Sequence, residues 1–277
     1  MIKIKTLIFP LFRNIFFMFI LIISLFPFLW ALISSFKTNR ELLTNPFSMP
    51  TQINFNNYIN ALKMAPINIF YINSLILALS SVSLILLVYS MSAYVFARFT
   101  FRFKGPLFML LTSSILIPGT AIIYPLYMTI TQLNLYNTKA GLILIYVAFS
   151  LPVSTFILRS YFLSLPANIE EAAMVDGAGF VRIFANIALP VARPGLASAG
   201  ILAFFRVWND FIIALTMTTG TSNKTLPVAI EYFNSMLGSD FGALFAAVIM
   251  VVTPSIVIYL IMQRQIVAGL TAGAVKG

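Results

Sequence analysis

The sequence contains no cysteine and no histidine, and only seven of its 277 residues are acidic. Without cysteine there are no disulfides and no thiolate nucleophile, and without histidine the commonest metal ligand and the commonest general base are missing. No metal site is therefore expected on this chain. An intramembrane enzyme is also disfavoured, because an aspartyl mechanism needs two carboxylates and the apolar segments offer Asp210 alone.

Charge is scarce as well, since charged residues make up 9% of the chain and hydrophobic residues 60%, with a mean hydropathy of +0.99. A soluble domain of this size has a far more polar composition, so we predict an integral membrane protein. The formal net charge of +10 does not indicate nucleic-acid binding. A nucleic-acid binder clusters its Lys and Arg on one face, whereas here they stand at the ends of apolar runs.

The apolar runs are long enough for transmembrane helices, each of which needs roughly 20 mostly apolar residues. The first run is too long for a signal peptide and lacks a cleavage pattern, so it is expected to be a retained span. The third is interrupted by Pro118, Gly119 and Pro125, which indicate either a packing kink or a hinge. The sequence predicts an all-α protein with about six crossings, near residues 14–35, 69–97, 107–131, 140–158, 194–217 and 244–262.

The basic residues give an orientation, because Lys and Arg of short loops stay on the cytoplasmic side. With the N-terminus inside, eleven of them fall on the inner side and five on the outer side. Both termini, a loop at 164–193 and a tail at 264–277 are then expected in the cytoplasm. The outer stretch 36–68 reads as a loop with short helices, and residues 1–277 are expected to form a single transmembrane domain.

The loop at 164–193 contains the most informative pattern, a polar segment between two apolar ones. Asn168 is expected to cap a helix with Glu171 at its third position, and Gly177 to end that helix. Three carboxylates on a lipid surface would face an anionic leaflet, so a protein partner is favoured over an interfacial hairpin. The segment reads Glu170-Glu171-Ala172-Ala173, then Asp176-Gly177, and ends in Ile187-Ala188-Leu189-Pro190.

This loop resembles the EAA loop of ATP-binding-cassette (ABC) importer permeases. The likeness extends over nearly the whole chain, to the smaller permease subunit of carbohydrate importers related to the maltose transporter. The one departure in the tail is Ala274, where such relatives commonly have glycine. The other matching segments are Leu25–Trp30, Ser35-Phe36-Lys37, Trp208-Asn209-Asp210-Phe211, Thr225-Leu226-Pro227-Val228 and the C-terminal Gly269–Gly277.

The resemblance implies a type I importer permease fold in a bacterial cytoplasmic membrane, with both termini inside. It implies four kinds of partner besides membrane lipid: a second homologous permease chain, two ATPase subunits, an extracellular substrate-binding protein, and a sugar as the solute, for which an oligosaccharide is favoured. The loop would couple to an ATPase through Glu170, Glu171, Ala172, Ala173, Asp176, Gly177, Leu189 and Pro190. The tail would contact the ATPase pair through Leu270, Thr271, Gly273 and Lys276.

The chain itself lacks the phosphate-binding pattern Gly-x-x-x-x-Gly-Lys-[Ser/Thr], so ATP hydrolysis is expected on another polypeptide. We therefore predict a transport subunit that is not an enzyme and carries no cofactor, with ATP and Mg²⁺ bound by its partners. An ATP-independent channel or secondary transporter is the alternative of a different class. It leaves the loop at 164–193 without a role.

Within the membrane, Arg206 and Asp210 lie one helical turn apart and are candidates for a solute path together with Trp208 and Asn209. A purely structural ion pair between Arg206 and Asp210 is the equal alternative. Arg206 would also suit an anionic solute such as glycerol 3-phosphate. The outer loop 218–240 is expected to meet the binding protein through Asn223, Lys224, Glu231, Tyr232 and Asn234, or else to be merely solvated.

Overall fold

A computed structural model describes residues 2–234 and 240–274, without the side chains of residues 2–11, 234 and 264–274. In these ranges the chain is helical and has no strand. Single 3-10 turns lie at Ser114–Leu116 and Gly119–Ile122, and a π turn at Phe184–Ala188. The helices are α1 Ile2–Ser34, α2 Asn39–Thr44, α3 Asn56–Met64, α4 Ile67–Arg98, α5 Lys104–Ser113, α6 Ile123–Gln132, α7 Lys139–Ser164, α8 Asn168–Val175, α9 Phe180–Ile183, α10 Leu189–Val191, α11 Arg193–Trp208, α12 Ile212–Met217, α13 Ala229–Asn234 and α14 Phe241–Ala274.

Four stretches in the described ranges are long and apolar enough to span a membrane: Phe12–Ser34, Ile67–Arg98, Lys139–Ser164 and Phe241–Gln263. Two bent pairs of helices also qualify, so the number of crossings rises to six if each pair is one span. The predicted all-α membrane class is confirmed. The predicted loop with short helices after the first span corresponds to α2 and α3.

The third span, predicted over 107–131 with an interruption at Pro118 and Gly119, is broken at that point into two helical halves. Its halves, Lys104–Leu116 and Gly119–Gln132, meet at 95°. Ile117 at the break has an extended backbone, with φ −82° and ψ 114°. Pro118 explains this, because proline disfavours the helical conformation of the residue before it and provides no backbone N–H.

The fifth span differs from the helix expected over 194–217. Helix α11 ends at Trp208, and α12 begins only at Ile212. Between them the carboxylate of Asp210 accepts the backbone N–H of Ala214 at 2.9 Å. Such a side-chain bond to nearby backbone offers the chain an alternative to a continuous helix.

The chain divides into two compact units, of which the first contains residues up to Ile67 together with Ala229–Thr253. In this unit the indole N–H of Trp30 donates to the carbonyl of Pro46 at 3.1 Å, and its ring meets the Phe245 ring edge-on at 5.1 Å. The ammonium of Lys37 is buried and donates to the carbonyls of Asn45 and Pro46. The buried cation thus closes the turn after α2.

The second unit contains Asn68–Val228 and the chain from Pro254 onward. Its core joins α4, α7 and α11, and α11 lies close to α7 at Gly195. A Cβ added there would lie 2.5 Å from Cγ of Tyr161. This packing brings the C-terminal end of α4 beside α8 and α9. The view of the whole chain as a single domain stays a prediction.

The orientation can be tested by cysteine labelling, because the chain has no native cysteine. We expect an impermeant thiol reagent applied outside to label Gln132→Cys and to miss Gly179→Cys, since both positions are exposed and the basic residues assign them to opposite sides. Thr138 is a poorer probe, because its hydroxyl accepts the Gly141 N–H at 3.0 Å at the start of α7. External labelling of Gly179→Cys would overturn the orientation.

The candidate coupling loop and solute path

The candidate coupling loop, residues 164–193 and called the loop below, is organised around a left-handed turn at the end of α8. Gly177 has φ +76°, and its N–H donates to the carbonyl of Met174 at 3.0 Å. The N–H of Ala178 donates to the carbonyl of Ala173 at 2.9 Å, which completes a Schellman motif. A Cβ at Gly177 would meet nothing within 4 Å, so the backbone conformation alone requires glycine. The predicted end of the helix at Gly177 is confirmed.

The predicted cap at the start of α8 is wrong. The helix is preceded by Ala167, and no side-chain hydrogen bond caps it. Ala167 already has helical backbone angles, φ −68° and ψ −27°, so Asn168 lies inside the first turn instead of before it. The acidic residues of that turn, Glu170 and Glu171, still stabilise the helix because they lie at the positive end of its dipole.

Glu170 faces the interior of the second unit and not a partner, in contrast to the prediction of three outward carboxylates. Its side chain accepts hydrogen bonds from the hydroxyl of Tyr94 at 2.7 Å and from Nε of Arg98 at 2.8 Å. Arg98 also forms an ion pair with it, at 2.8 Å. The sequence offered one signal for this pair, a basic residue at the end of the long apolar run that forms α4.

The outward surface of the loop combines apolar side chains with charged ones of both signs, since Arg182 is exposed as well. Val175 is 88% exposed, Val181 72% and Met174 58%, and Glu171 and Asp176 are exposed beside them. Of the other predicted coupling residues, Ala172 and Gly177 are exposed, Leu189 and Pro190 are half-buried, and Ala173 is buried with Glu170. The structure thus separates the predicted set into an outward face and an inward face.

The inward face rests on aromatic rings that join the loop to α4 and α7. The ring of Tyr94 lies 5.1 Å from Phe184, 5.4 Å from Phe162 and 5.8 Å from Phe180. Phe180 in turn meets Phe99 edge-on at 5.3 Å. Such pairs contribute roughly 0.5–1.5 kcal/mol each beyond their buried area. The loop is therefore packed firmly onto the membrane helices.

The ion pair expected between Arg206 and Asp210 is not formed in this described part of the chain. The carboxylate of Asp210 accepts from the hydroxyl of Tyr146 at 3.0 Å and from the N–H of Ala214. The guanidinium of Arg206 lies over the ring of Phe149, 5.4 Å from its centre. Helical spacing predicted the pair, but α11 ends at Trp208, so Asp210 no longer lies on the same helix as Arg206.

Arg206 borders a cavity of about 270 Å³ at the bend of the third span. The cavity is largely apolar and is lined by Phe149, Ile117, Gly119 and Pro152 among others. The remaining predicted path residues lie elsewhere. Trp208 is buried and stacked on Phe204 at 5.4 Å, and Asn209 accepts from the hydroxyl of Ser255 at 3.0 Å.

The contact between Tyr146 and Asp210 predicts non-additive mutations. In a double-mutant cycle, Tyr146→Phe and Asp210→Ala should show a coupling energy of about 0.5–3 kcal/mol, because the hydroxyl of Tyr146 and the carboxylate of Asp210 share a hydrogen bond. Arg206→Leu with Asp210→Ala should show a smaller coupling energy, because those side chains form no ion pair. The measurement is thermal unfolding of the purified chain in detergent. A larger coupling for the Arg206 cycle would contradict the structure.

The outer loop is held in place over the part that the structure describes. The amide of Asn73 donates to the carbonyls of Ser222 and Lys224 at 2.8 and 2.9 Å, and the amide of Asn223 donates to the carbonyl of Asn137 at 2.6 Å. The side chain of Asn234 lies outside the described residues. So do Lys276 and the side chains of Leu270 and Thr271, whereas the backbone of Leu270, Thr271 and Gly273 belongs to α14.

Residues 91–271 match the family described as binding-protein-dependent transport system inner membrane component. The chain is 38% identical over 257 residues to the diacetylchitobiose uptake system permease protein NgcG of Streptomyces coelicolor, covering 92% of this chain and 85% of that protein. It is 35% identical over 259 residues to the trehalose transport system permease protein SugB of Mycobacterium tuberculosis, covering 92% and 93% respectively.

The same fold occurs in a crystal structure of a bacterial ABC transporter involved in the import of the acidic polysaccharide alginate. One chain of that transporter superposes with a TM-score of 0.81 at 21% sequence identity, over 93% of this chain and 96% of that one. The predicted ABC importer permease fold is thereby confirmed. The chain belongs to the family of binding-protein-dependent transport system inner membrane components, and it is a multi-pass permease of the cell membrane.

Proposed function

We propose that this chain is one permease subunit of an ATP-driven oligosaccharide importer and that it moves its solute by alternating access. Two relatives, NgcG and SugB, are named for the uptake of diacetylchitobiose and trehalose, both of which are short oligosaccharides. Transport of glycerol 3-phosphate has less support, because only the positive charge of Arg206 favours an anionic solute. The observation that carries the proposal is the two-faced loop, with one side anchored on membrane helices and the other side free to bind a partner.

The partner proposed for the outward face is an ATPase subunit. Val175, Val181 and Met174 expose apolar surface next to the carboxylates of Glu171 and Asp176. Full burial of one such apolar side chain contributes roughly 1.5–3 kcal/mol, so a protein cleft would stabilise this surface. An anionic lipid leaflet would repel the two carboxylates. Leu270, Thr271, Gly273 and Lys276 of the tail are proposed as a second contact with the ATPase pair.

Two ATPase subunits, a second homologous permease chain and an extracellular binding protein would complete the transporter. ATP would act through the loop, because the backbone connects it directly to α7 on one side and to α11 on the other. Nucleotide can shift the balance between inward-open and outward-open arrangements only through different affinities for the two. A docked loop that moves with the ATPase pair provides that difference.

Arg206 and Phe149 are proposed as the part of the solute path at the bend of the third span. An aromatic face suits the apolar face of a pyranose ring, and a guanidinium can donate hydrogen bonds to two neighbouring hydroxyls. Ionisable groups at membrane depth commonly face the interior of the helix bundle or a water-filled path. Trp208, Asn209 and Asp210 would then line the path only in another arrangement of α11 and α12.

The experiment is uptake of labelled diacetylchitobiose and trehalose by vesicles containing the full transporter. We expect uptake to require ATP, the ATPase subunits and the binding protein. Uptake by the permease chains alone would favour a channel or secondary transporter. Uptake of glycerol 3-phosphate in place of either sugar would replace the oligosaccharide assignment, and calorimetry of the binding protein with the same three compounds checks the solute independently.

A further inference from the structure

Tyr94, Arg98 and Glu170 form a polar cluster in which Tyr94 and Glu170 are buried and Arg98 is half-buried. Glu170 is 5% exposed and Tyr94 2%. The carboxylate accepts hydrogen bonds from both partners, at 2.7 and 2.8 Å. Burying a charged group costs free energy unless it is paired, so this arrangement calls for a role of its own.

One guanidinium in this cluster connects three helices. Arg98 is the last residue of α4, and its Nε reaches Glu170 in the first turn of α8. Its Nη2 donates to the carbonyl of Leu165 at 3.1 Å, directly after the end of α7. A cation near the last carbonyls of a helix is favourable, because the dipole is negative there. Arg98 therefore holds the ends of α4 and α7 and the start of α8 together.

The other contacts of the loop with α4 are apolar and include aromatic rings as well as aliphatic side chains of the same core. Apolar burial stabilises a contact roughly in proportion to the area removed from water and is non-directional. Charge-assisted hydrogen bonds have a defined geometry. A buried ion pair adds little net stability compared with apolar packing, and its best-attested use is to fix one arrangement among several. Tyr94, Arg98 and Glu170 thus fix the position of α8 relative to α4.

We propose that these three residues act as a latch through which movement of α8 is passed on to α4 during transport. The proposal rests on the function proposed above. The loop is joined to α7 and α11 by the backbone, whereas Arg98 precedes Glu170 by 72 residues, so α4 receives the movement only through side chains. All three are positioning residues and are not expected to touch the solute.

The experiment measures how many sugar molecules enter vesicles per ATP hydrolysed by the full transporter. Coupling between two sites typically changes an equilibrium by 5–150-fold, and we expect Glu170→Gln and Arg98→Met each to lower the ratio roughly tenfold while ATP hydrolysis continues. The reversed pair Arg98→Glu with Glu170→Arg should recover a substantial part of it. Tyr94→Phe keeps the ring packing and removes one hydrogen bond, so its loss should be smaller.

The matched control is Arg102→Met, four residues after Arg98, because this guanidinium is exposed and lies over its neighbour Phe103 at 5.3 Å. Arg102→Met should have the same ratio of sugar to ATP as the unmodified protein. The amount of assembled transporter is measured for every variant. An unchanged ratio of sugar to ATP in both Tyr94→Phe and Glu170→Gln would refute the latch but would leave the proposed function standing. If Glu170→Gln does not assemble, Tyr94→Phe decides. An unmodified transporter that hydrolyses ATP without moving sugar would instead refute the proposed function.

Discussion

Replacing Gly177 by valine should abolish ATP-driven sugar uptake while the membrane helices stay folded. Gly177 has φ +76°, a conformation that a β-branched residue adopts only with strain. Two hydrogen bonds of the turn, from Gly177 to Met174 and from Ala178 to Ala173, depend on it. We expect the turn to open, the outward face of α8 to change shape, and stimulation of the ATPase by the binding protein to be lost.

The matched control for this change is Gly179→Val, two residues later in the same loop. Gly179 has φ −73° and ψ 164°, which valine adopts readily, and a Cβ there would also meet nothing within 4 Å. The two variants thus differ in backbone strain and not in space. Uptake and ATPase activity are measured together in reconstituted vesicles. Unmodified values of both in Gly177→Val would falsify the role of this loop in transmission.

Gly195→Ala should destabilise the chain at the contact of α7 with α11. The added Cβ would lie 2.5 Å from Cγ and 2.9 Å from Cβ of Tyr161, closer than side-chain atoms approach each other. Forcing a methyl group into a packed core typically costs about 1–3 kcal/mol, or more where backbone must move. The loss of α7–α11 packing should appear as a lower yield of folded chain and a lower thermal midpoint in detergent.

Gly105→Ala is the comparison, because a Cβ at that helical position would meet nothing within 4 Å. Alanine lowers the conformational entropy of the unfolded chain relative to glycine, so that variant should be as stable as the original chain or slightly more stable. Tyr161→Ala combined with Gly195→Ala should restore part of the thermal midpoint, since it removes the clashing ring. If Gly195→Ala unfolds at the same temperature as Gly105→Ala, α7 and α11 do not approach as closely as described.

The sequence predicted those features that depend on neighbouring residues. The membrane class followed from apolar runs whose length must match the bilayer. The turn at Gly177 was predictable because a positive φ is a property of one residue and its side chain. The loop with short helices after the first span was also predictable, from its change in composition.

Contacts between distant residues were not predictable in this way. Nothing local to Glu170 indicates that it pairs with Arg98, because that contact depends on how α4 packs against α8. The expected pair of Arg206 with Asp210 failed for a related reason. Helical spacing applies only while the helix continues, and the bond from Ala214 to Asp210 accompanies a break that periodicity does not show.

The 95° bend at Pro118 has a consequence for the solute path proposed above. Hydrocarbon offers a peptide group no hydrogen-bond partner, so a chain that leaves the helical conformation at membrane depth must border protein or water. At this bend it borders the cavity that Arg206 lines. A hydroxyl-rich solute there would meet peptide oxygens and nitrogens of the backbone. A substitution changes a side chain and leaves these backbone groups in place. The hydrogen-bonding groups that the backbone offers to a solute would therefore persist while the side chains around them diverge.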